Sequence, residues 1–321
     1  MKPALRLYRT LPRRDTNAAS ALTIGNFDGV HLGHQAILDQ VRTHALAQDL
    51  IPSVMTFAPH PRAFFARRGG RTELIPTQIS SLRDKIDRLA DQGMRQIVIQ
   101  RFNQALADMS AQDFIQHLLV RGLNTRWLLV GQDFRYGHKR SGDIDLLRRM
   151  GRQYGFSVQT LADVLDGQGQ RISSSALRTA LAVGRLDQSQ RLLGAPFRVS
   201  GHVIHGQKLG RDLGFPTLNL RVPAPCAARS GIYIVRVHGL AAAPLPGVAS
   251  LGVRPTVTRD GPLLLETHLL DQQVDAYGKL VCVEFLRFLR DEESFPDLTT
   301  LIAAIRQDVR SARDYFASHG L

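Results

Sequence analysis

The run GNFDGVHLGH, Gly25 to His34, sets two histidines three residues apart among three glycines. It follows the strand-like SALTI and passes at once into the helix-like GHQAILDQVRTHALAQ. Backbone N–H groups at a helix start favour anions. Gly29 and Gly33 would let the backbone approach a phosphate closely, and the N–H groups of His31 and His34 could meet its oxygens. No Lys-Ser/Thr follows, so this is not the common phosphate-binding loop. The plainer alternative is a pair of structural histidines.

Two further clusters lie in the same half. VGQDFRYGHKRSGD, Val130 to Asp143, follows the strand-like WLLV and carries Asp133, Arg135, Lys139, Arg140 and Asp143 in a glycine-punctuated loop. Its plainer reading is a charged surface loop. RISSSALRTAL places Ser173, Ser174 and Ser175 ahead of a helix that carries Arg178. Serines there can cap the helix or bind phosphate, and capping explains one serine more readily than three.

In the second half, GRDLGFPTLNL runs from Gly210 through Gly214, Phe215 and Pro216 into a short strand. Thr217 and Asn219 are two apart and face the same way on a strand. Two neutral oxygens on one face could hold Mg²⁺ beside phosphate groups; a turn and an edge strand would look the same. Glu266 lies in the leucine-rich segment LLLETHLLD, where a strand residue facing solvent is the plainer reading.

The elements that must position these residues follow from hydrophobic periodicity. Residues 20–27, 51–57, 95–102, 125–131 and 157–161 read as strands. They alternate with helical segments in which Ile37, Val41 and Ala45, or Leu82, Ile86 and Leu89, repeat on one face. Ser110 with Asp113 three residues on resembles a capping box. Alternation of this kind predicts an α/β, Rossmann-like domain with a mostly parallel sheet, which binds ligands at the carboxyl ends of its strands. Near Gly184 the pattern changes to a short helix, GRLDQSQRLLGAPF, and then β-type segments. FRVSGHVIHG, GIYIVRVHG, LLLETHLLD and KLVCVEFLRFLR are the expected strands, with VPAPCAARSG and AAAPLPGVASLGVRPT as loops. This predicts an antiparallel β-barrel or sandwich domain. A final amphipathic helix should bury Leu298, Leu301, Ile302, Ile305, Val309, Ala312 and Phe316. The expected domains are 1–184 and 185–321.

The 321 residues are 44% hydrophobic and 21% charged, as in ordinary globular proteins. No run approaches the roughly 20 apolar residues of a membrane span, and the N-terminus lacks a signal peptide's apolar core, so the cytoplasm is the expected compartment. Cys226 and Cys282 form no C-x-x-C and no zinc spacing. Of the net charge of +13, +10 falls in residues 1–184. A solvated surface, nucleic acid or anionic small substrates could each account for it, but no Lys/Arg block or nucleic-acid signature supports the second. The sequence specifies no oligomeric state.

GNFDGVHLGH and ISSSALR resemble the H-x-G-H and I-S-S-T-x-x-R motifs of nucleotidylyltransferases. With FAPHPRAFF and VGQDFRYGHKRSGD, they resemble the adenylyltransferase half of the bacterial bifunctional riboflavin kinase/FMN adenylyltransferase (FAD synthetase) family. GRDLGFPTLNL is similar to that family's G-x-x-L-G-F-P-T-x-N, and LLLETHLLD to its L-E-V-H-L-x-D, with Thr267 for valine. SLGVRPTV resembles N-I-G-x-R-P-T, with Ser250 for asparagine.

The resemblance implies phosphorylation of riboflavin to FMN, then adenylyl transfer from ATP to FMN. It implies His31 and His34 at the reacting phosphorus. Gly25, Phe27, Gly29, Gly33, Asp133, Ser173, Ser174, Ser175 and Arg178 would bind ATP and its phosphates. Gly210, Gly214, Phe215, Pro216, Thr217 and Asn219 would form the kinase nucleotide and flavin site, with Mg²⁺ on Thr217 and Asn219 and Glu266 as catalytic base. ATP, riboflavin and FMN are the implied partners. The alternatives are adenylylation of another phosphorylated acceptor, or a nucleic-acid-binding regulator with inactive enzyme folds. Part of the +10 would then steer two anionic substrates, ATP and FMN.

Overall fold

The computed structural model describes residues 5–12, 18–206, 210, 213–253, 261–272 and 274–320. Arg211 and Asp212 of GRDLGFPTLNL, and the RPTV of SLGVRPTV, lie outside these residues. The chain divides into two compact units, 1–76 with 85–173, and 77–84 with 174–321. The helix Ser174–Ala182 thus belongs to the second unit, although its motif begins at Ile172 and Ser173 in the first.

The first unit is built on a six-stranded parallel sheet in the order β1-β4-β3-β2-β5-β6. Its strands are Arg6–Tyr8, Ser20–Ile24, Ile51–Ala58, Gln96–Arg101, Thr125–Gly131 and Ser157–Leu161, numbered β1 to β6. The five expected strands all form. β2 is buried throughout, as a central parallel strand must be. The addition is β1, only three residues long, which pairs with β4 and has too few residues for alternation to betray it.

The helix Leu32–Ala47 buries Leu38, Val41 and Ala45, while Ile37 packs at the edge of the core. Ser110 caps its helix by accepting the Asp113 N–H at 3.0 Å, and its hydroxyl donates to the Asp113 carboxylate at 2.8 Å. That helix continues over Phe114–Gly122 in a wider π-helical winding.

The order of this sheet locates its ligand crevice. From β2 the chain builds outward through β3 and β4 on one side, then returns to place β5 and β6 on the other. The switch point lies between the carboxyl ends of β2 and β5, where open parallel sheets bind ligands. GNFDGVHLGH leaves β2 at that end and GQDFRYGHKRSGD leaves β5.

The second unit holds an antiparallel sheet in the order β7-β12-β9-β10-β11-β8. These strands are Phe197–His202, Thr217–Arg221, Gly231–His238, Leu245–Val253, Leu263–Leu269 and Leu280–Arg290, numbered β7 to β12 in chain order. A bridge between Ile204, just past β7, and Asn219 of β8 joins the two edges and curls the sheet into a barrel.

One expectation fails here. AAAPLPGVASLGVRPT was expected to be a loop, yet Leu245–Val253 is an inner strand between β9 and β11. Close approach explains its composition: a Cβ on Gly247 would stand 2.8 Å from the His268 carbonyl oxygen. Small residues that permit this contact also hide the strand's alternation.

The final helix Leu298–His319 is capped by Asp297, which accepts the Thr300 N–H at 2.8 Å. Its buried stripe starts later than expected. Val309, Ala312 and Phe316 pack against Ile234 and Val248, with Ile305 at the margin, whereas Leu298 is exposed. Buried Asp308 fastens this helix to β12 through two bonds to the Arg290 guanidinium, at 3.0 and 2.7 Å.

Candidate functional site

The turn after β2 is held in an unusual backbone path. Phe27, Gly29 and Val30 take φ of 48°, 85° and 45°. A left-handed β-branched residue is strained, and the burial of Phe27 and Val30 in the core offsets that cost. Thr56 at the end of β3 donates to the Asn26 carbonyl at 3.0 Å, and Gly25 N–H bonds to the Met55 carbonyl.

This path delivers His31 to the N-cap of the helix, buried, with its ring stacked on His34 at 3.7 Å between centroids. The His31 Nδ1 accepts the His34 backbone N–H at 3.3 Å. An accepting Nδ1 carries no proton, so the neutral ring presents Nε2–H as a donor. His31 therefore has a structural use as a helix cap, and the same neutral ring leaves a donor for chemistry. Gly33 makes room for it: a Cβ there would lie 3.2 Å from both the His31 ring and the Ile172 carbonyl oxygen. The start of the serine motif thus lies beside the histidine turn within the first unit.

Asp133, in the turn after β5, is exposed and paired to Arg171 at 3.2 Å; Arg171 also holds Asp163 at 3.0 Å. Arg171 directly precedes Ile172 and Ser173, so Asp133 is tied to the serine motif through it. Asp143 is instead the N-cap of the helix Ile144–Tyr154, accepting the Leu146 N–H at 2.8 Å. Burial, and then the Asp143 carboxylate, push the Tyr136 phenol well above its usual range, so it is no proton carrier near neutral pH. In the second unit, Arg178 donates from Nε to the Thr77 carbonyl at 2.7 Å.

Phenylalanines at the carboxyl ends of β3 and β4 were not singled out from the sequence. Phe57 is the penultimate residue of β3, Phe64 and Phe65 lie on the helix Pro61–Arg68, and Phe102 follows β4. Phe102 meets the other three edge to face at centroid distances of 5.4–5.8 Å, while Phe65 remains 49% exposed. Three aromatics within FAPHPRAFF were the available signal. His60 of the same run caps that helix, its Nδ1 accepting the Arg62 N–H at 3.1 Å.

The second unit assembles its own cluster by strand register. Glu266 of β11 stands directly opposite Asn219 of β8 on one side and Ser250 of β10 on the other. Such cross-strand partners lie about 5 Å apart at Cβ on one face. Thr217 lies opposite His268 on the same face. The Asn219 amide donates to the Thr217 hydroxyl and carbonyl oxygens, each at 3.4 Å.

The loop before Thr217 is pinned at two points. Phe215 N–H bonds to the Gly210 carbonyl at 2.6 Å, and the His268 Nδ1–H bonds to the Pro216 carbonyl at 3.0 Å. A Cβ on Gly210 would sit 2.5 Å from the Phe215 carbonyl oxygen, so glycine is required there. Gly214 takes φ of 88°. Ser250 donates to the Glu292 carboxylate at 2.9 Å, a contact from the segment after β12 that no local pattern announced. The Cys282 thiol is raised by burial, which removes it as a nucleophile.

The cluster's donor set suits magnesium carried on a nucleotide. Among the described residues no group of three or more His, Cys, Asp or Glu could hold a metal ion. Thr217 and Asn219 supply only neutral oxygens, and Mg²⁺ characteristically takes few protein ligands beside substrate phosphates and water.

The family model for FAD synthetase matches residues 13–176, and that for riboflavin kinase matches residues 193–316. The chain is 42% identical over 295 residues to the bifunctional riboflavin kinase/FMN adenylyltransferase of Escherichia coli K12, covering 92% of each. It is 41% identical over 300 residues to the Pseudomonas fluorescens protein of the same description, covering 94% of each. A Streptococcus pneumoniae crystal structure titled a macrolide-efflux protein shares the fold. Its TM-score is 0.74 at 24% identity, covering 97% of this chain and 99% of that one.

Proposed function

Since the chain belongs to the bifunctional riboflavin kinase/FMN adenylyltransferase family and makes FMN and then FAD, we propose which residues perform each step. The observation that carries the kinase assignment is the placing of Glu266 opposite Asn219. Riboflavin presents a neutral hydroxyl, whose proton must leave as the γ-phosphoryl group is transferred. Glu266 takes that proton. Thr217 and Asn219 would hold Mg²⁺, which would supply positive charge against the phosphates, and the Gly210–Pro216 loop holds the nucleotide.

Adenylyl transfer asks for different groups. The FMN phosphate is already an anion, so no strong base is needed, and the barrier is charge repulsion and alignment. The Nε2–H of His31 and the ring of His34 meet the charge that develops on the α-phosphoryl oxygens. Gly25, Phe27, Gly29 and Gly33 shape the turn that receives ATP. Ser173, Ser174, Ser175 and Arg178 hold the departing pyrophosphate, as their motif resemblance supports, and Asp133 orders Arg171, which precedes Ser173 in the chain.

The phenylalanine cluster receives the flavin ring of FMN, because its half-buried rings lie at the ligand-binding edge of the sheet with Phe65 exposed. Phe65→Ala should raise the KM for FMN by about 5- to 100-fold, the range for loss of an aromatic stacking partner. An unchanged KM in steady-state FAD synthesis would remove Phe65 from the site.

We assign adenylyl transfer to residues 1–184 and kinase chemistry to 185–321. No helix among the described residues is long and apolar enough to cross a membrane, and we place the enzyme in the cytoplasm, where ATP is at hand. The direct test is to incubate purified protein with riboflavin, ATP and Mg²⁺ and separate the flavins by chromatography. FMN and FAD should appear in turn, and excess EDTA should stop riboflavin phosphorylation. Full FMN formation in EDTA would refute the metal assignment.

A further inference from the structure

Three backbone carbonyls of the turn after β2 are held by side chains. Thr56 of β3 donates to the Asn26 carbonyl at 3.0 Å. Arg88, on the helix Leu82–Asp91, donates from Nη1 to the Gly29 carbonyl at 3.4 Å. Gln35 of the following helix donates from Nε2 to the Val30 carbonyl at 2.9 Å. Thr56 and Arg88 stand 30 and 59 residues from the carbonyls they hold, so tertiary packing brings them there.

A trans peptide points its C=O and the next N–H in opposite directions. Each held carbonyl therefore fixes where the following N–H points. Behind Thr56 and Arg88 these are the N–H groups of Phe27 and Val30. Among the described residues neither N–H bonds to a protein acceptor, although both residues are buried. Buried backbone donors are seldom left unpaired, and two of them in one turn suit an outside anion.

This orientation needs support. Gly29 has φ of 85°, and glycine adopts either sign of φ with little cost. A flip of the peptide that joins Gly29 to Val30 would replace a donor by a carbonyl oxygen, and attraction for phosphate by repulsion. The positive φ of Phe27 and Val30 adds strain that a free turn would relax.

We propose that Thr56 and Arg88 are positioning residues for adenylyl transfer. By holding the Asn26 and Gly29 carbonyls, they turn the Phe27 and Val30 N–H groups to the ATP phosphates. Neither side chain touches the substrate. The proposal rests on the reading of this turn as the ATP site.

The test uses four full-length variants. Thr56→Val keeps the shape of the side chain and loses its donor, whereas Thr56→Ser keeps the hydroxyl. Arg88→Leu loses its donor, whereas Arg88→Lys keeps an N–H and the charge. FAD formation from FMN is followed against ATP concentration, with riboflavin phosphorylation and melting temperature as controls for folding. Thr56→Val and Arg88→Leu should each raise the KM for ATP about 10-fold, the factor that 1.4 kcal/mol of lost binding produces, and leave the KM for FMN unchanged. Thr56→Ser and Arg88→Lys should stay close to wild type. A lower melting temperature with an unchanged KM for ATP would reduce both residues to a role in folding and overturn the proposal. An equal loss in the serine and lysine variants would also overturn it, because their donors remain. His31→Ala in the same assay separates the two possible failures. If it leaves FAD formation unchanged, the turn is not the ATP site and the underlying reading falls. If it slows FAD formation while all four variants keep the wild-type KM, only the positioning proposal falls.

Discussion

Glu266→Gln should reduce riboflavin phosphorylation by about 10²- to 10⁴-fold, the usual contribution of a positioned general base. Glutamine keeps the size and one carbonyl oxygen of the side chain but cannot accept the hydroxyl proton at working pH. Glu266 is only partly buried and lies on a strand paired on both sides, so the barrel should keep its stability. The specific readout is the separation of the two activities. FMN supplied directly should still be converted to FAD at the wild-type rate. Equal loss of both reactions in a folded variant would refute two separate sites. So would a kinase rate within a few-fold of wild type, since another group would then be taking the proton.

His31→Ala should do the reverse, lowering FAD formation from FMN by about 10²- to 10³-fold, the range for removing one preorganised donor from a developing charge. The structure adds a complication that the sequence did not contain. His31 also caps its helix, and losing a cap costs about 1 kcal/mol. His31→Asn separates the two roles. Asparagine is a good N-cap residue, so its melting temperature should stay closer to wild type than that of His31→Ala. It cannot reproduce the Nε2–H donor, so the rate should fall almost as far. Restored adenylyl transfer in His31→Asn would reduce the histidine to a capping residue. Riboflavin phosphorylation should be untouched in both variants.

Much of the first unit was legible because its signals are local. A parallel strand buried on both faces is a short apolar run, and a crossover helix repeats every three to four residues. The histidine turn was legible for the same reason, since Gly25 to His34 spans one strand end, one turn and one helix start. Where local signal failed, a neighbour was responsible. Leu245–Val253 looked like a loop because its small residues answer to the close approach of β11. Leu298 had the right spacing for burial, but the helix begins there beyond the reach of the core.

By itself, the sequence determined the two architectures, the order of the motifs and the residue types able to handle phosphate. These depend on spacing within a dozen residues, which chain geometry translates directly into a turn, a cap or a strand face. Only the tertiary structure decided that Asn219, Ser250 and Glu266 stand side by side. It also brought Ile172 to the His31 turn and linked Ser250 to Glu292. These contacts join residues far apart along the chain. Strand register and loop closure set them, and hydrophobic periodicity says which face a side chain takes without saying which strand lies beside it.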